Sequence, residues 1–333
     1  MSPPRVSVVL PFRDAASTLG EALDSLRAQT LDDFECLLVD DGSSDASPTI
    51  AAACATGDRR FRLLTAGGGL VEALNRGIAE ARAALIARMD ADDIAHPERL
   101  ALQQNALARD ATLSAVGCLV DCFPAETAGA GMRRYVEWLN GLITPEAMRA
   151  AIFVESPIAH PSAMLRRDAL SAVGGYRDTG GPEDYDLWLR LVLDGHRLGK
   201  VPYTLLRWRD APRRLSRTDA RYARASFFAT KLAHFSRAVA PGTALQIWGA
   251  GPTGRAWARA VQARGYPLRR FVDIAPRRWG RRLGGVPIEP PGAPDPSAGF
   301  GLVAVGTPEA RAWIEARFSA FDLRPWRDYL TVA

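Results

Sequence analysis

Four times between Val6 and Asp90 the chain alternates a short apolar run, rich in β-branched residues, with a stretch carrying apolar residues at helical spacing. The runs are Val6–Phe12, Phe34–Val39, Phe61–Leu64 and Leu85–Met89; the stretches between them are Ala16–Gln29, Ala46–Ala55 and Leu70–Arg82. Short continuous apolar runs suit strands buried on both faces, and the stretches between them suit the helical crossovers that parallel strands require. The pattern predicts an α/β fold with a parallel, doubly wound sheet. Ligands of such sheets bind beyond the carboxyl ends of the strands, where the loops converge. The unusual acidic residues of this chain fall at those ends.

Beyond Pro97 the pattern predicts a helix to Arg109, a strand over Ser114–Leu119, an irregular Gly-rich stretch to Gly131 and a helical stretch over Tyr135–Ile152. The loop SPIAHPS, the strand AMLRR and a helix over Pro182–Asp194 follow. From Ser216 to Arg237 the pattern is again helical. A second α/β unit then starts near Thr243 with a strand, a glycine turn and a helix in ALQIWGAGPTGRAWARAVQARG, and continues with the strand RRFVD. Val286–Gly299 reads as a Pro- and Gly-rich loop, FGLVAVG as a strand and Pro308–Phe318 as a final helix. The expected division is a domain over residues 1–215, a helical connector over 216–242 and a small domain over 243–333.

The net charge of +5 rests almost wholly on arginine, with Lys200 and Lys231 the only lysines. Such usage often reflects genome composition, so it is set aside as a nucleic-acid signal and no nucleic-acid partner is expected. The clusters Arg213–Arg214, Arg269–Arg270 and Arg277–Arg282 suit a solvated face, a phosphate-bearing substrate or an anionic membrane surface. Cys36, Cys54, Cys118 and Cys122 are scattered, without the paired spacing of a zinc site, and read as buried thiols of a reducing compartment. No apolar run reaches the roughly 18 to 20 residues that span a bilayer, and no signal peptide is visible. A cytoplasmic protein is expected, with peripheral contact at the inner face of the membrane as its one membrane option.

Three acidic constellations carry the chemistry. In LLVDDGSSD, Asp40 and Asp41 end a strand before the turn at Gly42. A carboxylate there can accept a hydrogen bond from the N–H of a nucleobase, or it can close an Asx turn. In ARMDADDIAHPERL, Asp90, Asp92 and Asp93 crowd one loop, and their repulsion is relieved most simply by a divalent cation bound through hard oxygen ligands, Mg2+ or Mn2+. The alternative, acids drawn to a helix N-terminus, accounts better for Asp93 than for Asp90. In GGPEDYDLWLRL, Glu183 and Asp184 open an amphipathic helix, with Asp186 as a capping residue. A carboxylate so placed can take the proton of an attacking hydroxyl, or it can simply favour a first helical turn.

Together these segments resemble the family 2 glycosyltransferases of the GT-A fold over Val6–Ser216. The resemblance is carried by VSVVLPFRDAASTL, LLVDDGSSD, GLVEALNRGIAEAR, ARMDADD with HPERL, and GGYRDTGGPEDYDLWLRL. It implies a nucleotide-diphospho-sugar transferase domain that moves a sugar to a glycan or lipid-linked acceptor hydroxyl with inversion, in cell-surface polysaccharide or glycoconjugate synthesis. It implies Asp40 as the base-reading carboxylate, with Pro11, Asp41, Asn75, Asp90 and Arg207 on the donor, and Asp90 and Asp92 as the metal and diphosphate motif. Asp184 is then the catalytic base. Glu183 beside it can orient it or bind the acceptor, and His160 in SPIAHPSAM is a candidate for the acceptor side or for supporting the metal, with an ordinary packed His as the alternative. The sequence departs from the family where Arg13 and Asp14 follow Phe12 in place of the usual aromatic and Asn. It departs again where LLRWRDAPRRLSR offers Arg207, Arg209 and Asp210 but no His, so phosphate contact there passes to arginine.

In the second unit Gly249, Gly251 and Gly254 form GAGPTG between a strand and a helix, and Asp273 ends the next strand about 20 residues on. That is the context of a dinucleotide fingerprint, with glycines for the tight turn and an acid for the ribose. The unit resembles small Rossmann-like modules appended to sugar-modifying enzymes, and either NAD(P) or another nucleotide, or a purely structural or regulatory role, fits it. An NAD-dependent oxidoreductase built on this unit would leave the three acidic constellations unexplained. A catalytically silent module would not account for keeping both Asp92 and Asp184.

Overall fold

A computed structural model of the chain describes residues 3–126, 129–211 and 214–333. They form two compact units, one of Met1–Arg149 with Ser156–Phe227, the other of Ala150–Glu155 with Phe228–Ala333. The first runs β1 (Val6–Phe12), α1 (Leu19–Arg27), β2 (Phe34–Asp40), α2 (Ser47–Gly57), β3 (Phe61–Thr65), α3 (Leu70–Glu80) and β4 (Leu85–Arg88). It continues through β5 (Ile94–Ala95), α4 (Arg99–Arg109), β6 (Leu113–Phe123), α5 (Ala130–Gly141), α6 (Pro145–Ala151), β7 (Met164–Arg166), α7 (Arg167–Ala172), α8 (Glu183–Leu193) and β8 (Arg197–Arg209). The short α9 (Leu215–Thr218) follows, and the division between units falls inside α10 (Arg224–Ala238).

The eight strands form one sheet in the order β3-β2-β1-β4-β7-β6-β8-β5. Strands β1 to β4 are parallel, as the alternation predicts, and every residue of β1 and β2 is buried. Pro11 is tolerated in this central strand because the pairing of β1 with β4 ends at Val9, before the proline's missing N–H matters. Beyond β4 the sheet becomes mixed. There β7, only three residues long, runs antiparallel between β4 and β6, and β5 runs antiparallel to β8.

One other reading is corrected here. The helical stretch Tyr135–Ile152 is two helices, broken at 142–144 before Pro145, which starts α6 at a position that needs no N–H donor. The segment before LLRWR is strand: β8 extends over 13 residues alongside β6. The sheet is held to its helices by buried polar contacts as well as by apolar packing. Arg99 of α4 is buried and donates to the carbonyl of Arg88 (2.7 Å) and to Gln103 (3.1 Å), while Gln103 donates to the carbonyl of Ser162 (2.7 Å). These bonds fix the end of β4, where the acidic loop begins.

The second unit holds β9 (Leu245–Trp248), α11 (Pro252–Gln262), β10 (Leu268–Val272), β11 (Arg282–Leu283), β12 (Val286–Glu289), β13 (Phe300–Val303), α12 (Pro308–Ala320) and β14 (Tyr329–Thr331). Its sheet has the order β11-β12-β10-β9-β13-β14, parallel except for β11. The predicted loop over Val286–Gly299 thus contains a strand, β12, that extends β10. A core of Trp248, Val272, Val303 and Tyr329 packs against Ile314 and Phe318 of α12. The four cysteines are free and buried. Among the described residues no helix is long and apolar enough to cross a membrane.

Candidate functional site

The carboxyl ends of β1, β2 and β4 carry the loops that the acidic motifs occupy. Asp40, the last residue of β2, is buried, and its Oδ1 accepts the N–H of Ser43 at 2.9 Å, so one oxygen closes the turn at Gly42 (φ +75°). Asp41 Oδ1 accepts the N–H of Gly69 at the start of α3 (2.9 Å). Asp14, one of the departures from the family pattern, ties the first loop to the second by accepting the backbone N–H (2.7 Å) and hydroxyl (3.0 Å) of Ser44. Pro11 is buried within β1. Asn75 is half-buried with its amide committed to the backbone of Tyr176 on both sides, donating at 2.9 Å and accepting at 3.0 Å.

Beyond β4 the carboxylate oxygens of Asp90, Asp92 and Asp93 all lie within 4.8 Å of one another. The helix-terminus explanation of Asp93 does not hold, because β5 follows it directly and α4 starts only at Arg99. Asp93 is 1% exposed; its Oδ1 accepts the N–H of Arg209 (2.8 Å), and its Oδ2 is buried without a hydrogen-bond partner among the described residues. Burial first, then the charges of Asp90 and Asp92, push the Asp93 carboxyl well above its usual range. The same causes, burial and then Asp90, bring Asp92 up to about 6. Asp90 forms an ion pair with the buried Arg88. A buried carboxylate oxygen lacking a donor, beside two further carboxylates at chelating separation, is a hard oxygen set that fits Mg2+ or Mn2+.

The amino end of α8 stands within electrostatic reach of this cluster, since the charges of Asp90 and Glu183 both act on His160 and on Arg88. Glu183 is buried; its Oε2 accepts the Tyr222 hydroxyl at 2.6 Å and its Oε1 lies 3.5 Å from His160 Nδ1. Burial pushes the Glu183 carboxyl up, but the hydrogen bonds from His160 and Tyr222 outweigh it and hold the group at about 2. The other ring nitrogen of His160 bonds the Tyr176 hydroxyl (2.7 Å), and burial, then the Arg88 charge, push the imidazole down towards its neutral form. Asp184 is half-buried in the first turn of α8, its carboxylate accepting the N–H of Tyr185 at 2.7 Å. Asp186 is not the cap: it is buried and paired with Arg190 at 2.8 Å.

Arginines from the end of β8 and the loop after it complete the site. Arg209 donates from Nε to the carbonyl of Asp92 (2.7 Å) and pairs with Glu21, so it is spent on holding the acidic loop. Arg207 is exposed, with its guanidinium 4.4 Å from the ring centre of Phe123. Asp210 is buried and paired with Arg217 (2.7 Å). Arg214 stacks 4.4 Å from the centre of the Trp208 ring, and its charge lowers both Asp92 and Asp93. Its neighbour in the basic cluster, Arg213, lies outside the described residues. Arg88, Tyr176 and Tyr222 had no signal in the sequence that set them apart, whereas Asp93 had one, as a member of the acidic loop, and Arg214 another, as a member of a basic pair.

In the second unit Gly249, Gly251 and Gly254 follow β9 and open α11, and Asp273 follows β10, as the glycine motif predicts. Asp273 is buried, and its carboxylate accepts the N–H groups of Ala250 (2.7 Å) and Ala275 (2.8 Å) and pairs with Arg278 (2.6 Å).

Residues 7–174 match the family described as glycosyl transferase family 2, a span that ends before Asp184. The putative glycosyltransferase EpsE of Bacillus subtilis is 31% identical over 205 residues, which are 59% of this chain and 69% of that protein. The amylovoran biosynthesis glycosyltransferase AmsE of Erwinia amylovora is 29% identical over 208 residues, 61% of this chain and 75% of that protein. Among solved structures, the mannosyltransferase PcManGT of Pyrobaculum calidifontis, in complex with GDP-Man and Mn2+, aligns with a TM-score of 0.52 at 18% identity. That alignment covers 98% of this chain and 83% of the other, and at such identity it speaks to the GT-A fold alone.

Proposed function

The chain belongs to glycosyl transferase family 2, and from that premise we propose that it moves a sugar from a nucleotide-diphosphate donor to an acceptor hydroxyl in a single inverting displacement. The observation that carries this reading is the acidic trio of Asp90, Asp92 and Asp93 with its donor-less buried oxygen, standing within electrostatic reach of the start of α8. Asp90 and Asp92 would hold Mg2+ or Mn2+, with Asp93 beside them, and the ion would supply neutralisation of the charge that builds on the leaving diphosphate. PcManGT, which shares the fold, is in complex with GDP-Man and Mn2+, and a donor and metal of those classes are carried to this chain as part of the proposal.

The chain's own residues take the remaining roles. Asp40, buried at the end of β2 with one oxygen engaged by the turn, offers its other oxygen to the N–H of a donor base. Arg214, partly buried and stacked on Trp208, faces the diphosphate, and Arg207 lies near the end of β8, before the loop that carries Arg214. Asp184 takes the proton of the acceptor hydroxyl. Glu183, His160, Tyr176 and Tyr222 form a hydrogen-bonded network that fixes where Asp184 stands, which limits the geometric cost of reaching the transition state. The transferase domain is taken as residues 1–215, the connector as 216–242 and the small domain as 243–333. The acceptor is a glycan or lipid-linked glycan of a cell-surface polysaccharide, the setting that the amylovoran enzyme supports.

The test is transfer by Asp184→Asn. Loss of a general base costs about 10²- to 10⁴-fold in rate, and donor affinity should stay at the wild-type value. An Asp184→Asn enzyme that binds donor and retains most of its transfer rate removes Asp184 from the mechanism.

A further inference from the structure

We propose that the second unit holds a nucleotide site of its own, a crevice that takes the diphosphate and nucleoside of a nucleotide. In the sheet of this unit β10 lies on one side of β9 and β13 on the other, all three parallel. The strand order therefore reverses at β9, and the crevice beyond the carboxyl ends of β9 and β13 is where such sheets bind ligands. A cavity of about 230 Å³ lies there, bordered by Trp248, Gly251, Asp273, Ile274, Arg278 and Thr307.

The glycines shape it. A Cβ on Gly249 (φ +109°) would lie 2.7 Å from Val305 Cγ1 and 2.9 Å from the Ala304 carbonyl, and one on Gly254 would lie 1.8 Å from the Gly249 carbonyl. Only glycine lets α11 descend so closely onto the strand end. At Gly251 a Cβ would meet nothing within 4 Å, so the backbone there borders open space. No side chain caps α11, an 11-residue helix, and its first N–H groups are left for an anion at the crevice.

Two independent features point to an occupant with a flat, partly polar body. The indole N–H of Trp248 is buried, the residue being 2% exposed, and has no hydrogen-bond partner among the described residues. Ile274 is 56% exposed at the lip, an apolar surface without protein cover against which a base can lie. Asp273 holds two backbone turns and Arg278, which leaves about one of its roughly four acceptor positions for a ribose hydroxyl. Asp273 and Arg278 neutralise each other, and no other charged side chain borders the cavity, so the site is equipped to bind and lacks an acid–base pair for turnover. The cavity is below the range of about 300–1,000 Å³ that encloses a drug-sized ligand whole. A nucleotide lying along the crevice with one edge in water suits it.

The experiment is calorimetry of the full chain against ADP, UDP, GDP, NAD+, NADP+ and inorganic pyrophosphate. It is run on wild type in chelator and on Asp92→Asn, two independent ways of silencing the acidic cluster of the first unit. The result expected is that at least one nucleotide binds with one site per chain under both conditions, more tightly than pyrophosphate. In Gly251→Asp that binding should fall at least about tenfold, or about 1.4 kcal/mol, with an unchanged melting temperature in the absence of nucleotide. The new side chain enters open space at a position where Asp is a favoured helix cap, so folding should not suffer. Absence of nucleotide binding under both conditions, equal binding of pyrophosphate, or binding that survives in Gly251→Asp would each overturn the proposal. The nucleotide that binds tells whether the source is a mononucleotide or a dinucleotide.

Discussion

Arg214 makes no ion pair among the described residues, yet it stands close enough to Asp92 and Asp93 to lower both. A partly buried cation beside a set of carboxylates is balanced when a metal and a diphosphate arrive together, which is the role assigned to it. Arg214→Ala should weaken donor binding by about 1.5–3 kcal/mol, the range for a hydrogen bond to a charged group, and leave the KM for acceptor unmoved. Titration of the variant with donor checks this, and an unchanged donor affinity would take Arg214 out of the site. The sequence made Asp40, Asp90, Asp92 and Asp184 visible because acids packed at strand and helix ends are costly enough to stand out. The resemblance singled out Asp184 over Glu183, but only the fold reveals that Glu183 is buried between His160 and Tyr222. For Asp93 the choice stayed open: a first-turn helical acid and a cluster member look alike until the following element is seen to be a strand.

At the scale of elements, α8 is the piece the proposed mechanism depends on, and its first turn is anchored by the Tyr222 hydroxyl from a segment far along the chain. Tyr222→Phe strips a donor from a buried carboxylate, at a cost of about 1–3 kcal/mol. Denaturant unfolding should register that loss, and transfer should slow while donor affinity stays constant. A variant as stable and as fast as wild type would show that the anchor is idle. The first four strands were legible because their runs are short, apolar and bounded. Strand β8 was not, because Cys118 pairs with Val201 while Leu119 pairs with Thr204, so Pro202 and Tyr203 are extruded from the ladder. A bulge of this kind destroys the period that betrays a strand. In β12, Pro287 and the surrounding prolines and glycines gave the signature of a loop, and the parallel pairing with β10 overrode it.

Over the whole chain, the direction of strands β5 and β7 was beyond sequence reasoning, because antiparallel pairing is decided by which edge a short strand reaches and not by its composition. The integrity of the first unit rests in part on Glu35, which is 1% exposed. It accepts from the Ser7 hydroxyl and from the backbone and guanidinium of Arg82, each at 2.8 Å. Burial pushes its carboxyl up, but these hydrogen bonds outweigh that and hold it below its ordinary value of 4.5. A depressed carboxyl stabilises the fold above the unfolded value, and the contribution disappears as pH falls through the lower, folded value. The stability gap between wild type and Glu35→Gln should therefore be widest near pH 7 and close progressively below about pH 4.5; a gap independent of pH would contradict it. The most direct test of the central claim is donor binding. Calorimetry with UDP-, GDP-, dTDP- and CDP-sugars, with and without Mn2+, should find one nucleotide class that binds only with the metal and is lost in Asp92→Ala. Donor binding that persists in chelator and in Asp92→Ala would contradict the assignment of the acidic trio as the metal and diphosphate site.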